Sequence, residues 1–404
     1  MDNKLAIVVV AFNRLKSLER LLKSLNKLKI DSNEKITLYI SIDRATKNDK
    51  ENQKVVEYAK EFEWIFGEKV VNYRDKNMGL KKHILECGKL TTIYQNIIVL
   101  EDDIIVSPLM YEYAKQAISF YQNNDKIAGF GLYSFQRNPA NNLPFYPMNN
   151  GTDTYFMQYA CSWGQIWTKD RWEEFYNWYL ENKDKDFSSE PRIPANVKKW
   201  GENSWLKYHV IYTILKNKYF VYPQIGFTSN FTEKGTHNKQ NSIAYQCNVC
   251  TNNCDRIEFR FMKLEEANNK YDAFFENAQI NKILKDEKII VDFYGEKNNN
   301  RLVGEKCHLL TTKVLNYEVI DNYSLQMYPY ELNIINDIKG NDIFIYNLEK
   351  KSKNKSKSQN EYLLQYLYRL DLLSKKDMLY IMKYFFGNIK GRVVRKIKRI
   401  IYGK

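Results

Sequence analysis

Ile97-Ile98-Val99-Leu100-Glu101-Asp102-Asp103-Ile104-Ile105-Val106-Ser107-Pro108 is an apolar run that breaks into three consecutive acids, resumes briefly and stops at a proline. An uninterrupted apolar run of this length suits a strand of a parallel sheet, covered on both faces. Charge then enters only where the strand leaves the sheet, at its carboxyl end, the edge at which open α/β sheets bind ligands.

The segments before it repeat the pattern. Leu5–Phe12 reads as a first strand, and Leu15, Leu18, Leu21, Leu22, Leu25 and Leu28 then recur at helical spacing. Ile36–Ile42 reads as a second strand ending at Asp43, residues 51–66 as a helix, and Lys69–Tyr73 as a third strand. Asn77-Met78-Gly79-Leu80 opens the next helix, with Gly79 in the turn. Strands alternating with helices across short turns imply a parallel sheet.

Three adjacent carboxylates repel one another unless a cation sits among them. Mg²⁺ or Mn²⁺ suits hard oxygen ligands whose shell a substrate diphosphate completes. The alternative is a solvated acidic turn. Asp43, also at a strand end, has the choice of accepting from a ribose or base edge, or of capping the turn before Ala45-Thr46. Asn13 and Arg14 end the first strand, where an arginine can pair with a diphosphate or lie in solvent.

Downstream, Gly129–Ser134 reads as a short strand, and Trp163-Gly164 offers a flat apolar ring beside closely approachable backbone. That suits a sugar face or an aromatic core. Asp170–Glu181 and the stretch from Trp205 to about Asn217 read as helices, and Tyr219–Tyr222 as a strand. Thr228–His237 reads as a polar loop carrying one of only four histidines. Cys247, Cys250 and Cys254 are spaced for zinc but lack an evident fourth ligand, so reduced thiols in a loop are expected.

In the second half, residues 288–295, 307–312, 318–322 and 343–346 read as short strands of a β-rich unit. A Lys/Ser-rich linker follows, and the final residues alternate apolar and basic groups at helical spacing. That composition suits a helix on an anionic bilayer, or one docked on the protein itself. The net charge of +14 favours anionic partners, but no nucleic-acid motif is present, so nucleic acid is not an expected partner. No apolar run is long enough to span a membrane, and the opening residues read as a strand rather than a signal peptide. A cytoplasmic protein, peripheral at the inner face of the membrane, is expected.

In this order, Val8–Arg14, Ser41-Ile42-Asp43, Asn77–Leu80, Leu100–Asp103, Ser162-Trp163-Gly164 and Gly235-Thr236-His237 resemble the motifs of GT-A-fold nucleotide-sugar glycosyltransferases, of the type that builds bacterial surface polysaccharides. The resemblance covers about the first 240 residues. It implies an α/β, Rossmann-like, mostly parallel sheet flanked by helices, with the β-rich appendage and basic helical tail added. The implied division is a catalytic domain over 1–245, a Cys-containing connection over 246–287, the appendage over 288–349, a linker over 350–361 and the tail over 362–404.

The roles it implies are as follows. Phe12, Asn13, Arg14, Asp43, Gly79, Leu80, Asp102, Trp163 and Gly164 would line the donor site, with Asp43 on the base or ribose. Glu101, Asp103 and His237 would hold Mn²⁺ or Mg²⁺. The residue after Trp205 is Leu206, where related enzymes often carry an acid, so the base is open. Glu202 stands first for it, ahead of Glu233 and Asp153. The implied reaction moves a sugar, UDP-linked by preference, to a glycan or lipid-linked acceptor with inversion. A sugar-nucleotide nucleotidyltransferase and a non-catalytic carbohydrate- or membrane-binding protein are the alternatives. The first usually has a glycine-rich loop after strand one, and Phe12-Asn13-Arg14-Leu15 has no glycine.

Overall fold

The computed structural model describes residues 5–47, 49–231, 245–251, 258–297 and 307–353, together with Leu379 and Met382. The chain begins β1 (Leu5–Ala11), α1 (Leu15–Leu25), β2 (Leu38–Ile42), α2 (Lys50–Glu61), β3 (Lys69–Tyr73), α3 (Gly79–Gly88), α4 (Thr91–Tyr94) and β4 (Asn96–Glu101). These four strands run parallel in the order β3-β2-β1-β4. Every residue of β1 is buried, and the strand alternates between two cores. Ala6, Val8 and Val10 enter one, while Leu5, Ile7, Val9 and Ala11 enter the other. Ile97 and Val99 of β4 join the first core, Ile98 and Leu100 the second. A strand covered on both faces has no position for a polar side chain, which is why its sequence is unbroken.

The chain continues through β5 (Ile104–Val106), α5 (Met110–Tyr121), β6 (Ile127–Gly131), β7 (Thr154–Met157), β8 (Gln165–Thr168), α6 (Lys169–Asn182), α7 (Ala195–Lys198), α8 (Trp205–Leu215), β9 (Tyr219–Pro223), β10 (Thr228–Asn230) and β11 (Lys270–Tyr271). Among the described residues the sheet has nine strands, ordered β11-β7-β9-β6-β8-β4-β1-β2-β3. β8 joins antiparallel to both β4 and β6, so the sheet is mixed beyond the parallel half. Residues 228–230, expected as loop, instead form a ribbon with β5. Thr228 and Ser229 are buried there, and buried backbone needs the partners a ladder supplies.

The remainder comprises α9 (Ile280–Leu284), β12 (Ile289–Asp292), β13 (His308–Thr311), β14 (Tyr317–Tyr323), α10 (Glu331–Ile335) and β15 (Ile343–Lys351). β12-β13-β15-β14 make a separate four-stranded sheet. Its inner residues Ile289, Val291, Leu310 and Ile345 belong to the same apolar core as Phe145, Tyr271 and Phe275 of the larger unit. The small sheet is therefore packed onto the large one. No helix among the described residues is long and apolar enough to cross a membrane. The proposed basic tail lies outside the described residues, save Leu379 and Met382.

Candidate active site

The parallel half of the sheet ends on one edge at Ala11, Ile42, Tyr73 and Glu101, and the residues just beyond supply the chemistry. Val10 is in register with Glu101 and Ala11 with Ile42, so the β1, β2 and β4 exits stand side by side. Arg14 reaches across to the acids. Its Nη1 donates to Asp103 Oδ2 at 2.9 Å, and Nη2 donates to Asp102 Oδ1. The guanidinium fork matches two carboxylates better than an ammonium would. Burial opposes the Arg14 charge, but Asp102 and Asp103 outweigh it and raise its pKa.

Asp102 is buried, 3% exposed. Burial pushes its carboxyl up to about 6, with Arg14 opposing. Glu101 is half-buried. Burial first, then Asp103 and Asp102, push it up to about 8 against the pull of Arg14. Asp103 Oδ1 and the Glu101 carboxylate receive no hydrogen bond among the described residues. One guanidinium thus balances three closely spaced carboxylates only in part. The oxygens left over are hard donors of the kind Mn²⁺ or Mg²⁺ takes, so this donor set fits a divalent ion completed by ligands from elsewhere. No group of three or more metal-ligating side chains is already arranged as a cage among the described residues.

Asp43 does more than the local sequence shows. Its Oδ1 accepts from the Met78 and Arg44 amides at 2.9 and 3.0 Å, and Oδ2 accepts from the Gly79 amide at 2.9 Å. It caps the start of α3, not the turn at Ala45-Thr46. Gly79 takes φ +70° there, a conformation that suits glycine. Oδ2 keeps one acceptor direction for a ligand. Phe12 (37% exposed) and Leu80 (43% exposed) lie open on either side of this junction, one beyond β1 and one in the first turn of α3.

Behind Asp43 sits a network that sequence reading missed. Asn52 donates to the Phe12 and Asp43 carbonyls at 2.6 and 2.9 Å and accepts from the Tyr73 hydroxyl at 3.0 Å. It ties together the exits of three strands. The signal was present: Asn52 shares the buried face of α2 with Val55, Val56 and Ala59, where a polar residue must be partnered. Asn13 donates to Asp49 at 3.0 Å. Ser41 Oγ and His83 Nε2 are 2.7 Å apart, and Arg74 Nε donates to the same hydroxyl at 3.0 Å. Burial lowers His83 to about 4, so it is neutral near pH 7.

The opposite wall comes from the antiparallel half. The β4–β8 ladder ends at Val99 paired with Gln165, so Glu101 and Trp163 leave it on adjacent strands. Burial raises the Cys161 thiol, and Glu101 is among the charges that add to the effect. The Trp163 ring lies 4.7 Å from Tyr133 and 5.5 Å from Tyr245. Gly164 takes φ +94°, and a Cβ there would lie 2.8 Å from Thr228 Cγ2. The Thr228 hydroxyl donates to the Trp163 carbonyl at 2.6 Å. Phe231 donates its amide to the Asp103 carbonyl at 3.1 Å. His237, Glu233 and Cys254 lie outside the described residues.

The structure thus brings Phe12, Asn13, Arg14, Asp43, Gly79, Leu80, Glu101, Asp102, Asp103, Trp163 and Gly164 to one edge. Glu202 is exposed on the turn before α8, where its carbonyl accepts from Lys81 at 2.8 Å. Lys81 lies in the first turn of α3 with its ammonium 4.5 Å from the Tyr208 ring centroid. Asp153 sits elsewhere, its Oδ2 accepting from the Arg260 amide at 2.7 Å beside β7. Cys247 donates its thiol to the Thr228 carbonyl at 3.2 Å, and the Cys250 amide donates to Gly226. Both are free thiols.

No known family's sequence profile matches the chain, and no curated protein matches it by sequence. Among solved structures it is similar to residues 1–349 of TarS from S. aureus, at 15% identity and a TM-score of 0.35, over 56% of this chain and 59% of that one. The same protein in complex with UDP-GlcNAc gives 15% identity and 0.37, over 58% and 60%. A mannosyltransferase from Pyrobaculum calidifontis, in complex with GDP-Man and Mn²⁺, gives 8% identity and 0.33, over 55% and 57%. The match spans less than two thirds of each of these solved chains. Overlap of this size and identity assigns no activity to this chain.

Proposed function

We propose that the chain is a glycosyltransferase that moves a sugar from a nucleotide-diphospho-sugar, UDP-linked by preference, to a glycan or lipid-linked acceptor of the cell surface, with inversion. The observation that carries this reading is the meeting of Arg14, the Glu101–Asp103 triplet, Asp43 and Trp163 on the carboxyl edge of one sheet. Open α/β sheets place their ligands at that edge.

Breaking the bond between sugar and diphosphate develops negative charge on the leaving phosphate. Fixed positive charge in an enclosed site lowers that barrier. Arg14 is already paired with Asp102 and Asp103, so its part is to order the acidic cluster, and the positive charge facing the diphosphate would come from a cation held by the acids. Asp43 and Phe12 would orient the nucleoside, and Trp163 would give the sugar ring an apolar face. Glu101 and Asp103 would hold Mn²⁺ or Mg²⁺, which would supply Lewis-acid stabilisation of the departing diphosphate. Glu202 is the proposed base for the acceptor hydroxyl, carried within reach of α3 by the Lys81 contact. Work at the inner face of the membrane, with the basic tail as anchor, completes the proposal.

Thermal stabilisation by UDP-, GDP- and CMP-sugars, each with and without Mn²⁺, tests the assignment, because only ligands of the native state raise the melting temperature. A shift for one donor class, enlarged by the metal, is expected. No shift with any donor under either condition would sink the reading. Glu202→Gln should abolish transfer while leaving donor stabilisation intact, and full turnover by that variant removes Glu202 from the site.

A further inference from the structure

Where the small sheet meets the large one, the carboxyls of Asp272, Glu276 and Asp292 gather around the Lys297 ammonium. Asp272 and Glu276 belong to the turn after β11, and Asp292 ends β12. Lys297 reaches back across the junction, its Nζ donating to Asp272 Oδ2 at 2.6 Å and to the Val291 carbonyl at 2.7 Å. Asp272 Oδ1 accepts from the Phe274 and Glu276 amides at 2.8 and 3.1 Å, so both oxygens of Asp272 are satisfied. Glu276 and Asp292 are satisfied at one oxygen each. Glu276 Oε1 accepts from the Tyr294 amide at 2.8 Å, and Asp292 Oδ1 from the Lys297 amide at 3.0 Å. Glu276 Oε2 and Asp292 Oδ2 have no partner among the described residues, although the two residues are only 1% and 0% exposed.

Buried carboxylate oxygens without donors are costly. The cations on hand do not remove that cost. Lys297 spends its side-chain hydrogen bonds on Asp272 and Val291, and Lys313, whose charge also acts on Asp292, donates to the Gly295 carbonyl. Glu296, in the same turn, is half-exposed and adds a further acid. Burial pushes the Glu276 carboxyl well above its ordinary range; Lys297 opposes this, and Asp292 and Asp272 add to it. Burial raises Asp292 as well, against the Lys297 amide and the two lysines. A metal ion is the poorer remedy. Asp272 is already taken by Lys297, and no group of three or more metal-ligating side chains is arranged for an ion among the described residues. A proton suffices, because a protonated carboxyl is a donor while its neighbour remains an acceptor.

We propose that Glu276 and Asp292 share one proton across the junction of the two sheets, forming a clasp that holds the small sheet in place and that alkaline pH opens. Glu276 comes from the large unit and Asp292 from the small sheet, so the shared proton joins the two. Losing it to solvent base leaves two ionised carboxylates, with Asp272 beside them, in a dry site where like charges repel. The sign follows from linkage. Both carboxyls hold their protons more tightly in the folded chain than in the unfolded one. Stability from the pair is therefore complete below the ordinary carboxylate range, about pH 4, and is lost as pH rises until the folded pair has ionised.

The test follows thermal melting and amide hydrogen exchange of the full chain against pH, for wild type, Glu276→Gln and Asp292→Asn. An amide at either position keeps the shape of the protonated carboxyl, gives the neighbouring carboxylate a permanent donor and never ionises. In the wild type, protection of the Tyr294 and Lys297 amides, corrected for intrinsic exchange, should fall about tenfold or more between about pH 6 and pH 9. In both variants that fall should shrink to about threefold or less, and the alkaline decline in melting temperature should flatten. The same pH dependence in all three proteins overturns the clasp. Failure of both variants to fold would show that the ionised carboxylates are required, and overturns it too. Stabilisation of the wild type by Ca²⁺ or Mg²⁺ that disappears in both variants would give the cluster to a metal instead of a proton.

Discussion

His209 shows how much one residue can cost a fold. It is 1% exposed, stacked 4.1 Å from Phe175, and neither ring nitrogen has a partner among the described residues. Burial lowers its pKa to about 3. The unfolded chain, with a histidine near 6.5, therefore binds the proton first as pH falls. Stability is complete above pH 6.5 and declines between 6.5 and 3, by at most about 1.4 kcal/mol per pH unit from this group. His209→Phe should stabilise the protein by about 1–3 kcal/mol and flatten that acid limb, as read by urea unfolding at pH 7 and pH 5. An unchanged difference between the two pH values would remove His209 from the explanation. Arg14→Ala leaves the buried Asp102 without its counter-charge, and part of the site remains open to solvent. A loss of about 1–3 kcal/mol is expected, with Arg14→Lys intermediate because an ammonium cannot serve both carboxylates; chemical denaturation of the three proteins checks the ranking.

Elements are positioned here by contacts between distant turns. Asp43, at the end of β2, terminates the free amides at the start of α3. Asp43→Ala should lower stability by about 0.5–2 kcal/mol, the usual worth of a cap, and should reduce protection of the Met78 and Gly79 amides in hydrogen exchange. Unchanged protection would mean that the cap is dispensable. The turn at Gly164 depends on a backbone angle and on space. With φ +94° and Thr228 Cγ2 at 2.8 Å from any added Cβ, Gly164→Ala should cost about 1–3 kcal/mol and alter the Trp163 environment. Tryptophan fluorescence and melting temperature report the two effects separately.

At the scale of the whole molecule, the small sheet belongs to the core of the large one. Ile289, Val291 and Phe293 share a cluster with Phe145, Tyr271 and Phe275. Removing residues 288–353 should therefore lower the melting temperature or prevent folding, because a large apolar face would be exposed. A truncated protein that melts at the full-length temperature would show the sheet to be a separate unit.

Sequence alone determined the parallel half of the sheet. A strand buried on both faces must be apolar throughout, and Leu5–Ala11 and Ile97–Leu100 advertise this without tertiary information. It also determined which polar residues stand at strand ends, because Arg14, Asp43 and the acids follow directly from those runs. The strands of the second half were likewise legible in Ile289–Val291 and Ile343–Tyr346. What Asp43 caps, that Arg14 sits between Asp102 and Asp103, and that residues 228–230 pair with β5 were decided only by the tertiary structure. Each is a contact between segments distant in sequence, and side-chain type constrains such contacts without specifying them. Asn52 is the intermediate case: its place on the apolar face of α2 marks it as partnered, but only the fold reveals Phe12, Asp43 and Tyr73 as its partners.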